Sequence, residues 1–334
     1  MSARTRVGVV GAGALGFHHV RIMRELERVE FVGFAESRPE RASAVASELG
    51  VRAWERLDEL IDACDALSIV VPTPAHYEVA AAALARGKHL LIEKPLTATL
   101  EQADLLVAMA ERGGALIQTG HVERFNRAIR AALPFVDRPR FIESDRLAPF
   151  NPRGADVAVV LDLMIHDIDL ILTLVGGEVQ EVAASGIPVL TPFVDIANAR
   201  IVFRSGAVAN ITASRVSRDR TRKLRIFQQS GYLSLDLAAG DGEFYRLKQG
   251  LDLAALAKAP QSLEAFVERV PLTAPEGEPL RLEFQSFVDA VQGRAPVSVS
   301  GKDGRDALAV ALRIVGEIER SAPALAAGME RPRA

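Results

Sequence analysis

The chain has 334 residues, 49% hydrophobic and 25% charged, and carries a formal net charge of −3. That length predicts about two domains, each able to bury a core without a disulfide or metal staple. The near balance of charge excludes a nucleic-acid partner recruited by whole-chain electrostatics, and the single cysteine, Cys64, excludes an intrachain disulfide and a cysteine metal cluster.

Residues 1–6 are basic but run straight through Val7–Val10 into glycines, with no small-residue cleavage site, so no export signal is expected. Arg6–Val10 reads as a short buried strand. Leu15, His19, Ile22, Met23 and Leu26 then recur at helical spacing. Val29–Glu36 is the next strand, and Ser37 with Glu40 predicts a capping box over Pro39. Asp65–Val71 is a strand followed by a helix from about His76. Lys88–Glu93 is another, Thr99 and Gln102 open a helix to about Arg112, and Ala115–Thr119 closes the series. Short apolar strands alternating with helices predict parallel pairing with right-handed crossovers, an α/β doubly wound domain over residues 1–120.

The remainder, 121–334, reads as an α+β domain. A long helical pattern covers Asp156–Val175; its four aspartates and His166 rule out a simple membrane span, and a cytoplasmic location follows. Strands are expected at Val179–Ile187, Ile196–Arg204, Ala207–Val216, Leu224–Gln229 and Phe244–Lys248, forming a mainly antiparallel sheet. Helices are expected near Pro279–Gln292 and Gly304–Ser321, with the second able to pack back near the first domain and a frayed tail beyond Ser321.

Gly11, Gly13 and Gly16 stand between the first strand and its helix, with Ala14 and Leu15 among them. In that context the glycines permit a tight turn and close backbone approach, and the helix N-terminus can hold a pyrophosphate. Glu36, ending the second strand beside Ser37, can accept the ribose hydroxyls and repels a 2′-phosphate, which favours NAD over NADP. Arg38 argues the other way. Thr73, Pro74 and His76 follow the next strand on the carboxyl edge, where His76 either faces a nicotinamide or is a polar residue at its helix N-terminus. Glu93 and Lys94 occupy the same edge; a lysine there can hydrogen-bond a substrate hydroxyl and stabilise charge on a developing carbonyl oxygen. Asp162, His166 and Asp169 share one helix face, with Asp167 pointing elsewhere, and a carboxylate one turn from an imidazole can orient a general base. The run Arg215–Arg225 reads as a solvated charged loop, with contact to a diphosphate or a partner subunit as the alternative.

Together, the glycine turn, Glu36, Thr73-Pro74-Ala75-His76, Glu93-Lys94-Pro95, the segment Gly120–Asn126 and Asp162–His166 resemble the glucose–fructose oxidoreductase, inositol dehydrogenase and rhizopine-catabolism (Gfo/Idh/MocA) family. The resemblance implies a Rossmann domain, a second domain with an open-faced sheet through which dimers or tetramers form, and Lys94, Asp162 and His166 as the catalytic set. Gly120–Asn126, Arg153 and Leu161–Leu170 are also similar to the UDP-N-acetylglucosamine 3-dehydrogenases, which implies a nucleotide-sugar substrate. His121, Arg124, Asn126 and Arg153 would then join Lys94, Asp162 and His166 in binding it. Either His166 or Lys94 takes the hydroxyl proton. An inositol or simple-sugar dehydrogenase, and a non-catalytic NAD-binding regulator, are the alternatives; no metal is expected.

Overall fold

A computed structural model describes residues 4–328 except 153, 155 and 249–265. Arg153 of the expected substrate set therefore lies outside the described residues. The chain divides into two units, Met1–Val122 with Gly277–Ala309, and Glu123–Glu276 with Val310–Ala334.

In the first unit, β1 (Thr5–Val10), β2 (Val29–Ala35), β3 (Ala53–Trp54), β4 (Ala66–Ile69), β5 (His89–Glu93) and β6 (Ile117–Gly120) form one sheet in the order β3-β2-β1-β4-β5-β6. Every pairing in it is parallel. Helices α1 (Ala14–Met23), α2 (Pro39–Leu49), α3 (Leu57–Ala63), α4 (His76–Leu84) and α5 (Leu100–Gly113) lie on the connections. Val7, Val9, Leu67, Ile69, Leu90, Leu91 and Ile92 are fully buried. Strands covered on both faces read as continuous apolar runs, which is why they were legible. The strand order reverses between β1 and β4, so the loops after β1, β2, β4 and β5 gather at the edge where such sheets bind ligands.

Two local expectations differ from the structure. Thr99 does cap α5, its Oγ accepting the Gln102 N–H at 3.3 Å, but the Ser37–Glu40 box does not form. Arg38 takes the N-cap position in an extended conformation, with no side-chain cap. Pro39 occupies the first helical position, and the residue before a proline is driven to extended geometry. The short elements β3 and α3 are too brief to leave a periodic signal.

The second segment also returns to the first unit. Helix α8 (Pro279–Val291) buries Phe284, Phe287 and Val288 in one cluster with Val9, Val20, Met23 and Phe34. Gln118 on β6 donates to the Glu283 carbonyl at 3.1 Å. The helix is amphipathic, and the face it must bury finds its partner in α1 and the sheet.

The second unit carries an eight-stranded sheet in the order β14-β13-β12-β11-β7-β10-β9-β8. Its strands are β7 (Phe141–Leu147), β8 (Val179–Ile187), β9 (Ile196–Phe203), β10 (Val208–Ser214), β11 (Thr221–Gln228), β12 (Gly231–Asp236), β13 (Asp241–Leu247) and β14 (Val267–Pro271). Only β7 and β10 pair in parallel among the described residues. Helices α6 (Arg127–Ala132) and α7 (Ile165–Val175) belong here, and α9 (Gly301–Gly328) begins in the first unit and ends in the second. That helix continues past Ser321 rather than fraying there. No helix among the described residues is long and apolar enough to cross a membrane. Strands β7, β12 and β14 were not foreseen. In β7 the inward residues are Ile142, Ser144 and Arg146, so apolar alternation is absent where burial is complete.

Candidate active site

The glycine turn after β1 has three glycines with three separate physical roles. Gly11 has φ +95°, and a Cβ there would lie 2.8 Å from the Val70 carbonyl oxygen. A Cβ on Gly16 would lie 2.2 Å from the Gly11 carbonyl oxygen, so helix and turn can touch only through glycine. At Gly13 a Cβ would meet nothing closer than the Arg38 guanidinium at 3.7 Å. The protein itself does not require that glycine. A ligand backed against the turn would. Gly13, Ala14 and Leu15 stay open to solvent at the N-terminus of α1, with Leu15 42% exposed, and these residues fit a dinucleotide pyrophosphate.

Glu36 faces this turn. Its carboxylate accepts the Ala12 N–H at 2.9 Å and a double contact from Arg38, at 2.9 and 3.2 Å. Arg38 holds the Glu36 carboxyl down at about 2, against the opposing effect of burial, so it is ionised at any working pH. Arg41, which the sequence reading passed over, donates to the Ala12 and Gly13 carbonyls at 2.8 and 3.2 Å. Since C=O and N–H oppose one another across a trans peptide, fixing these carbonyls also fixes the opposing N–H groups. Ser37 is exposed beside the pair.

Thr73 and Pro74 open a tight turn after β4, and His76 follows as the first residue of α4. Of the two readings of His76, the structure has the helix N-terminal one, with the ring turned inward as a brace. Its ring is buried, with Nδ1 3.0 Å from the Pro95 carbonyl oxygen and Nε2 2.9 Å from that of Val71. Burial lowers its pKa. The ring ties the loop after β4 to Glu93-Lys94-Pro95, where the Lys94–Pro95 bond is cis. Glu93 is buried and accepts the Lys94 N–H at 3.2 Å. His121, just after β6, is fully buried.

In the second unit a π-helical turn, Val160–Met164, leads into α7; such turns recur at functional sites. Asp162 and His166 stay partly exposed. Asp169 does not share their surroundings, as it is buried and binds Arg124 at 2.8 and 2.6 Å. Gly154 lies against Asp162: a Cβ there would come within 2.6 Å of its carboxylate, at a φ of +78°. Asp167 is buried and gripped by Arg146 at 2.6 and 3.1 Å and by Ser144 at 2.9 Å. Arg146 also reaches Glu123 at 2.9 Å.

Asn126 likewise departs from its expected substrate contact. Its amide nitrogen donates to Glu123 and to the Leu237 carbonyl at 3.0 and 2.9 Å, and its oxygen caps α6 through Ala128 N–H at 3.0 Å. With every polar atom engaged inside the unit, the side chain is a junction. The basic run is also not uniformly solvated. Arg215 is buried, donating to the carbonyls of Gly154 and Val157 ahead of the π turn, and Arg222 stands 3.5 Å from Glu123. Charge spacing alone carried no sign of this, because every acceptor is distant in sequence.

The strand order, the fitted glycine turn and its carboxylate define a dinucleotide-binding protein of the doubly wound type. Residues 5–121 match the oxidoreductase family with NAD-binding Rossmann fold, Gfo/Idh/MocA, and residues 135–234 match the C-terminal domain of the same family. The chain belongs to the Gfo/Idh/MocA family and is an NAD(P)-dependent oxidoreductase. It is 38% identical over 315 residues, 94% of this chain and 97% of the other, to UDP-N-acetylglucosamine 3-dehydrogenase of Acidithiobacillus ferrooxidans. A solved structure of that enzyme superposes with a TM-score of 0.86 at 36% identity, covering 96% of this chain and 99% of the other. The myo-inositol 2-dehydrogenase of Thermotoga maritima is 26% identical over 91% of this chain and 93% of its own. A levoglucosan dehydrogenase solved with NADH and levoglucosan shares the fold, at a TM-score of 0.83, 19% identity, and coverage of 95% and 98%.

Proposed function

We propose that the protein oxidises the 3-hydroxyl of UDP-N-acetylglucosamine to a ketone with NAD. The observation that carries this is the 38% identity to a UDP-N-acetylglucosamine 3-dehydrogenase, sustained over 94% of the chain. Bound NAD supplies the hydride acceptor. The chain's own residues handle the proton: His166 takes it from the hydroxyl, Asp162 orients the imidazole, and Lys94 hydrogen-bonds the oxygen as it becomes a carbonyl. The roles of His166 and Lys94 are exchangeable in this scheme. Arg124 and His121 lie in the stretch that resembles the nucleotide-sugar enzymes and contribute to that specificity. The ketone suits a following transamination, as in routes to amino sugars of lipid A type. The enzyme works in the cytoplasm as a dimer or tetramer formed through the open face of the second sheet.

Remote contacts to the uridine and diphosphate raise turnover when they are used to hold the reacting hydroxyl. NADH formation is therefore expected with UDP-N-acetylglucosamine and far less with free N-acetylglucosamine, in an assay that removes the ketone with an aminotransferase and glutamate. NADH formation with myo-inositol, and none with the nucleotide sugar, would move the assignment to an inositol dehydrogenase.

Glu36 supports NAD over NADP, because an ionised carboxylate facing the turn repels a ribose 2′-phosphate and already neutralises Arg38. Titration of the protein's effect on NADH and NADPH fluorescence should give tighter binding of NADH, with the gap narrowed by Glu36→Ala. A wild-type preference of about tenfold for NADPH, roughly 1.4 kcal/mol, would assign the choice to Arg38 instead.

A further inference from the structure

The backbone on either side of Lys94 is held by two buried histidines that have no part in the proton transfer. His19 projects from the inner face of α1 and is fully buried. Its Nδ1 lies 2.8 Å from the Ser68 hydroxyl on β4, and its Nε2 lies 3.2 Å from Glu93 Oε1 at the end of β5. The ring stands edge-on to Phe284, with 4.8 Å between centroids. The other Glu93 oxygen accepts the Lys94 N–H. Gly120 makes this possible, since a Cβ there would come within 2.9 Å of Glu93 Oε1. Burial alone would push the Glu93 carboxyl up, but His19 beside it, with Lys94, outweighs burial and lowers its pKa. As a carboxylate, Glu93 is an acceptor only, so its contact with the Lys94 N–H is a charge-assisted bond. On the far side of Lys94, the His76 ring lies between the Pro95 and Val71 carbonyl oxygens, 3.0 and 2.9 Å from its two nitrogens, and a neutral ring donates to one of the two.

We propose that His19 and His76 are positioning residues for Lys94, locking the chain before and after it to β4 and to the loop that follows β4. The inference rests on the reading of Lys94 as a group that handles the substrate oxygen. Its physical content is that a side chain with four rotatable bonds can be aimed only from a fixed backbone, and that a displacement of about 1 Å at a reacting group can cost about a hundredfold in rate.

The test uses the coupled assay together with amide hydrogen exchange. His19→Leu keeps bulk and loses the Ser68 hydrogen bond and the polar contact with Glu93; it is expected to lower kcat by about tenfold to a hundredfold. KM is expected to change by less than about threefold, the sign of an interaction made chiefly in the transition state. His76→Leu should do the same, and His19→Gln, which keeps a donor for Glu93, should recover most of the loss. NADH binding, read by fluorescence, should stay unchanged in all three. Exchange of the Lys94 amide should accelerate in His19→Leu, a readout independent of turnover. In a Lys94→Ala background His19→Leu should add little, because the group it positions is gone. An equal loss in that background, or unchanged kcat and exchange in both leucine variants while Lys94→Ala is inactive, would overturn the clamp and leave the catalytic reading standing. Normal turnover of Lys94→Ala would overturn the catalytic reading itself, and the clamp with it.

Discussion

Alanine at Lys94 or at His166 is expected to lower turnover by at least about a hundredfold each, the scale on which a positioned proton donor or acceptor acts. Lys94 follows β5 on the carboxyl edge of the parallel sheet, and His166 lies one residue into α7, directly after the π-helical turn that carries Asp162. Neither belongs to the glycine turn, so dissociation constants for NADH should be close to those of the unmodified protein. Steady-state rates and fluorescence titrations on the same preparations separate the two effects. Near-normal turnover in both variants would remove these residues from the mechanism.

The largest stability change is expected at Arg146. Its guanidinium is 3% exposed, between Asp167 at 2.6 Å and Glu123 at 2.9 Å, both also buried. Burial disfavours its charge, yet the two carboxylates outweigh that and its pKa is raised. Arg146→Met leaves those carboxylates facing one another without a counter-charge, with Arg222 only at the margin of Glu123, 3.5 Å away. Breaking a buried pair in this way costs about 3–5 kcal/mol. At roughly 2–4 °C per kcal/mol for a unit of this size, Tm should fall by about 10 °C in a thermal melt. Replacing Glu123 and Asp167 by Gln and Asn in the same chain should restore part of the loss, since amides carry no unpaired charge. A shift under about 2 °C for Arg146→Met would mean that water or Arg222 compensates the two carboxylates. The network also frames α7, as Asp167 is the neighbour of His166 and Glu123 holds the cap of α6.

Much of the first unit and of the cofactor turn was legible from local chemistry. Strands covered by helices on both faces are written as apolar runs, and β1, β4 and β5 fall on Val7–Val10, Ala66–Ile69 and Leu90–Ile92, while Glu30 interrupts β2 and Gln118 and Thr119 sit within β6. The glycine turn was legible for a similar reason: its requirement is a backbone conformation and a close approach, which only a residue without a side chain meets. His19 also left a trace, an imidazole within the apolar stripe of α1, since a ring so placed must find a polar partner. Its identity, Ser68 with Glu93, was not readable.

The amino-acid sequence by itself determined the class of this protein, a doubly wound dinucleotide-binding unit joined to an α+β unit. It also supplied the residue types at each sheet-edge loop. These follow from periodicity and from neighbours a few residues apart. Only the tertiary structure decided which polar residues work from inside. Arg146 made β7 unreadable as a strand because its burial depends on carboxylates at Glu123 and Asp167. Asn126 became a cap, His76 a brace, and Arg215 an anchor for the segment ahead of the π turn. Helix α8 joined the first unit for the same reason, as Phe284 and Phe287 find their apolar partners on α1 and the sheet. A buried polar group or an amphipathic face is stable only against a particular partner, and chain distance conceals that partner until the fold brings the two together.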